Sequence, residues 1–280
     1  MFSQDEILGS HPIAPSFFEK WFHSDNIKRT KNRCHRALSS KLASNDSELI
    51  SWLANKIIEH HYSPSKLRRL RRMYKNIGFP AYANQHRQIP SADRTMKGNA
   101  TEIILIEYIL GCNSDRTLIK CFKFHYNPNV NQSMKGDDAL IIDVINSELG
   151  KEEIKVFLGE AKFRSKPDKA VVSELSNAIS KDKLPLSYTF LLDRLYDNDH
   201  TVNLAEFLEK FILDEIKSKG NMKYAGLLLS NDKTSDFIEK NYTNDNPDAV
   251  IISVGIDDPK SLIYNAFYEA NAIINNPTAI

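Results

Sequence analysis

Two apolar runs, DDALIIDVI (137–145) and EIKVFLGEAKF (153–163), flank the short polar link NSELGKE, and this pair constrains the fold more than any other feature of the 280-residue chain. Each run reads as a β-strand, and the link, short and carrying Gly150, suits a hairpin. A hairpin centred near Leu149 sets residues whose numbers sum to 298 opposite one another, which places Asp138 across from Glu160. Their Cβ atoms would then lie roughly 4.5–5.5 Å apart. Side chains alternate along a strand, so Glu160 and Lys162 project with Ile154, Val156 and Leu158, and that face turns abruptly from apolar to charged. Leu140, Ile142 and Val144 share a face with Asp138. Asp137 has the opposite orientation and reads as structural or solvent-facing; Asp143, on the same face as Asp137, reads as a strand-end or helix partner.

Two carboxylates this close repel, and each retains a proton unless a cation lies between them. A hard divalent ion resolves the conflict. Mg²⁺ accepts a few carboxylate oxygens, keeps several waters and binds phosphate, which fits Asp138 and Glu160 as metal ligands; Mn²⁺ is the substitute. Lys162 adds a positive charge able to orient the attacking water and to stabilise charge growing on a phosphate. Hydrolysis of a phosphodiester is the reaction such a set serves. A lone ExK on a strand can equally be a solvated pair, and the matching register with Asp138 is what favours chemistry here.

The surrounding pattern predicts an α/β fold, a mixed central sheet flanked by helices. Residues 1–90 read as a basic helical accessory region: SFFEKWF, then IKRTKNRCHRALSSKLA, then DSELISWLANKIIEHHY. Asn45 is the expected cap of the last, with Glu48 three residues on, and Asp46 is the alternative. His60 and His61 are adjacent, splayed about 100 degrees apart on a helix, and read as solvated surface rather than metal ligands. The next helix opens with Ser63 as cap and Pro64 in the first turn. It carries Lys66, Arg68, Arg69, Arg71 and Arg72 around a narrow seam of Leu67, Leu70 and Tyr74, either a solvated face, a salt-bridge partner for acidic residues, or a contact surface for nucleic acid or a partner protein. NIGFPAYANQHRQIPSAD breaks the helical periodicity and marks the boundary. From Gly98, NATEIILIEYILG is a helix packed on more than one side. TLIKCFKFHY (117–126) reads as a further strand. Helical stretches PLSYTFLLDRLY and VNLAEFLEKFILDEI form an insertion at about 183–220. YAGLLLS and AVIISVG then give two more strands before a terminal helix that begins at Asp258 or Pro259.

Charge is divided unevenly. Residues 1–98 hold 17 Lys and Arg against 8 Asp and Glu, whereas the rest hold 20 against 28. A basic half joined to an acidic half points to a polyanionic partner. Three scattered cysteines without a CxxC pair suggest neither a disulfide framework nor a zinc site. The start of the chain lacks the basic flank and apolar run of a signal peptide, and the apolar runs are too short to span a bilayer, so a cytoplasmic protein without a membrane role is expected.

Asp138, Glu160-Ala161-Lys162 on the next strand and KGNATE upstream together resemble the PD-(D/E)xK nuclease family. The Gly136-Asp137-Asp138 run matches that family's G-x-D approach to its second core strand; the proline of the family name is absent. The resemblance implies a restriction-endonuclease-like core over 91–280 and a supporting helix glutamate at Glu102, with Glu107 the competing placement. More narrowly, KGNATE, KGDDALI and FLGEAKFR are similar to the DUF1837 group of antiphage-defence nucleases. That resemblance implies a DNA substrate and a superfamily 2 helicase partner, HamB-like, that restrains the nuclease. A non-catalytic DNA-sensing or regulatory subunit on the same fold is the alternative.

Overall fold

The computed structural model describes residues 3–77, 89–146, 152–180, 184–197, 199–211, 216 and 220–275. Among them the strands are β1 (Phe22–Thr30), β2 (Arg33–Ser40), β3 (Leu118–Lys120), β4 (Ala139–Asn146), β5 (Glu152–Phe163), β6 (Met222–Ser230) and β7 (Ala249–Gly255). The helices are α1 (Gln4–Leu8), α2 (Phe17–Trp21), α3 (Ser47–His61), α4 (Pro64–Ile77), α5 (Asp93–Cys112), α6 (Lys169–Ala178), α7 (Tyr188–Tyr196), α8 (Val202–Glu209), α9 (Thr234–Asn241) and α10 (Pro259–Asn275), with a 3₁₀ turn at Lys123–Tyr126. The strands form one mixed sheet in the order β1-β2-β7-β6-β5-β4-β3. From β2 through β7 and β6 to β5 the neighbours run parallel, and antiparallel pairs finish both edges. None of these helices is long and apolar enough to cross a membrane.

Helices cover both faces of the sheet, which is why MKYAGLLLS and AVIISVG are apolar without alternation: every residue of β6 and β7 is buried. Ala225, Leu227, Leu229, Val250, Ile252 and Val254 share one core with α3, α5 and α10. On the opposite face Tyr224, Leu228 and Ile251 pack with Val171, Val172 and Leu175 of α6 and Ile238 of α9. Ile142, Ile154 and Val156 pack there with Leu191 of α7 and Leu208 of α8. Helices α7 and α8 thus roof this part of the β4–β5 hairpin.

Residues 22–40, expected to be helical, are instead the β1–β2 hairpin, closed by a two-residue turn at Lys31 and Asn32. β2 then pairs in parallel with β7, His35 opposite Ile251 and Leu38 opposite Val254, so this basic stretch extends the sheet. Its charges hid the strand because they are internal. Fully buried Arg36 donates to Asn26 and the Gly9 carbonyl and pairs with Asp5. His35 contacts Ser253 and Glu239, and Arg33 also pairs with Glu239. Burying an arginine is tolerated only when its donors are satisfied in this way.

Asp46, the alternative cap, is the one that α3 uses: its Oδ1 accepts from the N–H groups of Glu48 and Leu49, leaving Asn45 outside and Glu48 one position too early for a reciprocal capping box. His60 and His61 are buried, not solvated. His60 donates from Nε2 to Glu107 and stacks on Phe122 at 3.9 Å. His61 donates from Nδ1 to the Ile57 carbonyl, accepts from Asn99 at Nε2, and stacks on Phe124. Those stacks, with His125 donating to the Glu59 carbonyl, bend the chain after β3 into the 3₁₀ turn. The strand expected over 117–126 therefore stops at Lys120.

Candidate active site

The hairpin register matches expectation, with Ala139 opposite Gly159 and Leu140 opposite Leu158. Asp138 stands one residue before β4 and is free of its strict alternation. Its Oδ2 accepts from the backbone N–H of Ala161 at 2.8 Å, so the carboxylate is bound to the Glu160–Ala161 peptide. Glycine makes the close approach of α5 to this point. A Cβ on Gly159 would fall 2.8 Å from both the Leu105 Cδ2 and the Ala139 Cβ, a separation that no real Cβ adopts. At Gly136, φ of +117° turns the chain into β4 in a conformation that side chains resist.

Glu102, one turn before Leu105, reaches the same place from α5. Lys123 Nζ lies 2.7 Å from its Oε2 and 3.7 Å from Asp138 Oδ1. The closer contact is an ion pair without hydrogen-bond alignment, and the buried Glu102 Oε2 has no aligned donor. Burial, reinforced by the Asp138 charge and opposed by Lys123, pushes the Glu102 carboxyl up to about 8. Burial disfavours the Lys123 ammonium, but Glu102 and Asp138 outweigh it and hold its pKa above the usual lysine value. For Glu102 burial is the chief cause, so the raised value marks a carboxyl cut off from water, and the Asp138 charge beside it adds to the cost of ionising it.

On the other side of β5, Lys162 Nζ donates to Glu160 Oε1 at 2.5 Å, and both side chains keep about a quarter of their surface exposed. Burial works against this ammonium too, yet Glu160 first, then Asp138 and Glu174, keep its pKa raised. A groove of about 920 Å³ connects the two halves: Glu102, Asp138 and Lys162 line it, with Arg94, Lys97 and Arg164 at its walls. Glu160 is not among its lining residues. Among the described residues no three His, Cys, Asp or Glu side chains gather into a metal cluster. At this end of the hairpin Glu102 and Asp138 meet around Lys123. Two hard oxygen donors with open space beside them fit a Mg²⁺ that keeps most of its waters, and do not fit a full protein cage.

The remaining residues that the sequence singles out have structural partners. Glu107 binds His60 and Lys56 away from the groove. Asp137 exchanges hydrogen bonds with Ser187, its Oδ2 accepting from the Ser187 N–H while its own N–H donates to Ser187 Oγ, which ties β4 to α7. Asp143 pairs with Arg116. On α4, Ser63 caps through its Oγ, and Leu67 and Leu70 pack on the core. Arg68, Arg69 and Arg72 are exposed and Lys66 is half-buried, while the Arg71 side chain lies outside the described residues. None of the salt bridges among the described residues joins this helix to an acidic side chain. Sequence reasoning missed Lys123. The lysine between Phe122 and Phe124 was the available signal, since a charge inside an aromatic run needs a buried partner.

Fold and groove together define an α/β protein whose mixed sheet carries, at its β4–β5 hairpin, a carboxylate–lysine site. The family model described as HamA matches residues 15–270, and the chain is 35% identical over 269 residues to the Hachiman protein HamA of Bacillus cereus, covering 94% of each. The chain belongs to the HamA family.

Proposed function

We propose that this chain is a metal-dependent deoxyribonuclease of a bacterial antiphage defence system, hydrolysing phosphodiester bonds under the control of a HamB-like superfamily 2 helicase. One observation carries the reading: Glu102 and Asp138 meet in a groove that also receives Lys162, with Asp138 fixed to the Ala161 peptide. Membership of the HamA family supports the defence role and the partner.

Glu102 and Asp138 would hold Mg²⁺, or Mn²⁺, with Glu160 as the further carboxylate one residue from the Ala161 anchor. The ion would supply a Lewis acid for the phosphoryl oxygen and a nucleophilic water at neutral pH. Lys162 lines the groove, and its ammonium, held by Glu160 in the free protein, would turn to the substrate to orient the water and balance charge on the scissile phosphate. Arg94 brings a positive charge to the wall, while Lys97 and Arg164 are paired with Asp93 and Glu174, so a phosphate backbone would have to compete with those acids for them. The exposed arginines of α4 supply a second basic surface, for DNA or for the helicase.

Purified protein incubated with plasmid DNA tests the reading. Cleavage is expected with Mg²⁺, none with EDTA, and none from folded Glu160→Ala or Lys162→Ala in either condition. DNA binding that is indifferent to metal and never followed by cleavage, alone or with the helicase, would instead make the chain a non-catalytic sensor.

A further inference from the structure

Lys123 serves three groups at once. Its ammonium is 2.7 Å from Glu102 Oε2 and 3.7 Å from Asp138 Oδ1, and it donates to the Asp137 carbonyl at 3.0 Å. Those groups belong to α5 and to the approach to β4. The lysine itself comes from the 3₁₀ turn, which the His60 and His61 stacks on Phe122 and Phe124 and the His125 bond to Glu59 hold against α3. Its side chain is only 12% exposed. A buried ammonium delivered from so fixed a turn is not a surface charge that settled on the nearest acid.

We propose that Lys123 is a built-in counter-cation, which neutralises the Glu102–Asp138 pair in the metal-free protein and gives up that place when a divalent ion binds. The inference rests on the metal-dependent reading of the groove and deepens it. Without an internal cation Glu102 would keep its proton beside Asp138, and the pair would not stand ready as two carboxylates. With it the site is assembled before metal arrives. Asp138 stays fixed in both states because its other oxygen is held by the Ala161 N–H. The cost is competition: an incoming divalent ion meets a resident positive charge, and its affinity is lowered by that repulsion. Lys123 is thus a positioning residue that sets how much divalent ion the site requires, whereas Lys162, paired to Glu160 on the other face, is the lysine available to the phosphate.

Thermal unfolding of the full chain across a MnCl₂ and a MgCl₂ titration, each starting from EDTA, tests this without reading activity. Lys123→Met should melt lower than wild type in EDTA, by about 3 °C or more. Its divalent midpoint should nevertheless fall by about tenfold or more, because the competing charge is gone. Lys123→Arg, which keeps the charge, should recover the EDTA melting point and a midpoint near that of wild type; Glu102→Gln should raise the midpoint. A purely structural lysine would lower stability and leave the midpoint unchanged. An unchanged or higher midpoint in Lys123→Met therefore overturns the proposal, as does the absence of any divalent response in both proteins. If Lys123→Met does not fold, Lys123→Gln carries the same comparison. A divalent response with the expected midpoints but no DNA cleavage would leave the exchange standing and overturn the hydrolase reading alone.

Discussion

Lys162 and Glu160 are paired at 2.5 Å, yet each is about a quarter exposed, and ion pairs in that setting contribute only about 0–1 kcal/mol. Replacing Lys162 therefore has little to do with stability. Lys162→Ala should melt within about 2 °C of wild type, while cleavage of plasmid DNA falls by at least about a hundredfold, the scale of losing one preorganised charge at a reacting centre. A melting scan beside a timed cleavage assay separates the two effects, and near-normal cleavage would remove Lys162 from the site. His61 illustrates the opposite case, a buried residue behind the groove whose charge state matters to stability. Burial, weakly opposed by the Ile57 carbonyl, lowers its pKa from 6.5 to about 3. The unfolded chain then binds a proton below pH 6.5 that the folded chain refuses until about pH 3. Its contribution is complete above pH 6.5 and declines as pH falls, by up to about 1.4 kcal/mol per pH unit. His61→Phe keeps the stack on Phe124 and should make denaturant stability less steep in pH between 6.5 and 4, at the expense of the Asn99 hydrogen bond. Equal slopes in the two proteins would show that His61 is not the titrating group.

At the scale of elements, the site depends on how closely α5 approaches the β4–β5 hairpin, and Gly159 permits that distance. Gly159→Ala should destabilise the fold by about 1–3 kcal/mol, because Ala139 belongs to a paired strand and cannot swing aside as Leu105 can. It should also lower cleavage, since the displaced elements carry Glu102 and Asp138; chemical denaturation and a plasmid assay on one preparation check both. The hairpin was legible in the sequence because its apolar alternation and its link length agree on a single register. So was the approach of Asp138 to the Glu160–Lys162 stretch, made through the Ala161 N–H, whereas Glu160 pairs with Lys162 and does not line the groove with Asp138. The β1–β2 hairpin was not, because Arg33, His35 and Arg36 imitate a solvated helix until Glu239, Ser253 and Asp5, distant in sequence, are seen to satisfy them. Glu102 entered through family resemblance rather than spacing, and Lys123 was hidden because stacking on two histidines, a tertiary effect, turns its backbone out of the sheet.

For the whole molecule, the basic excess before residue 98 has two destinations. Part of it is structural: Arg33, Arg36 and Lys56 are paired with Glu239, Asp5, Glu59 and Glu107. The remainder includes the outer face of α4, where Arg68, Arg69 and Arg72 are exposed and none of the described ion pairs reaches them. A face of this kind meets either the DNA that the groove would cut or the protein that would restrain it, and salt tells these apart. If α4 binds DNA, the double reversal Arg68→Glu with Arg72→Glu should weaken duplex binding. The slope of log affinity against log salt should then shrink by about 0.9 for each phosphate that the helix no longer neutralises. If α4 binds the helicase, DNA affinity and its salt slope stay as in wild type while co-purification with the helicase disappears, and cleavage by the pair rises toward that of the free chain. A variant that melts like wild type and keeps both partners would return α4 to being a solvated helix whose charges only keep the molecule soluble.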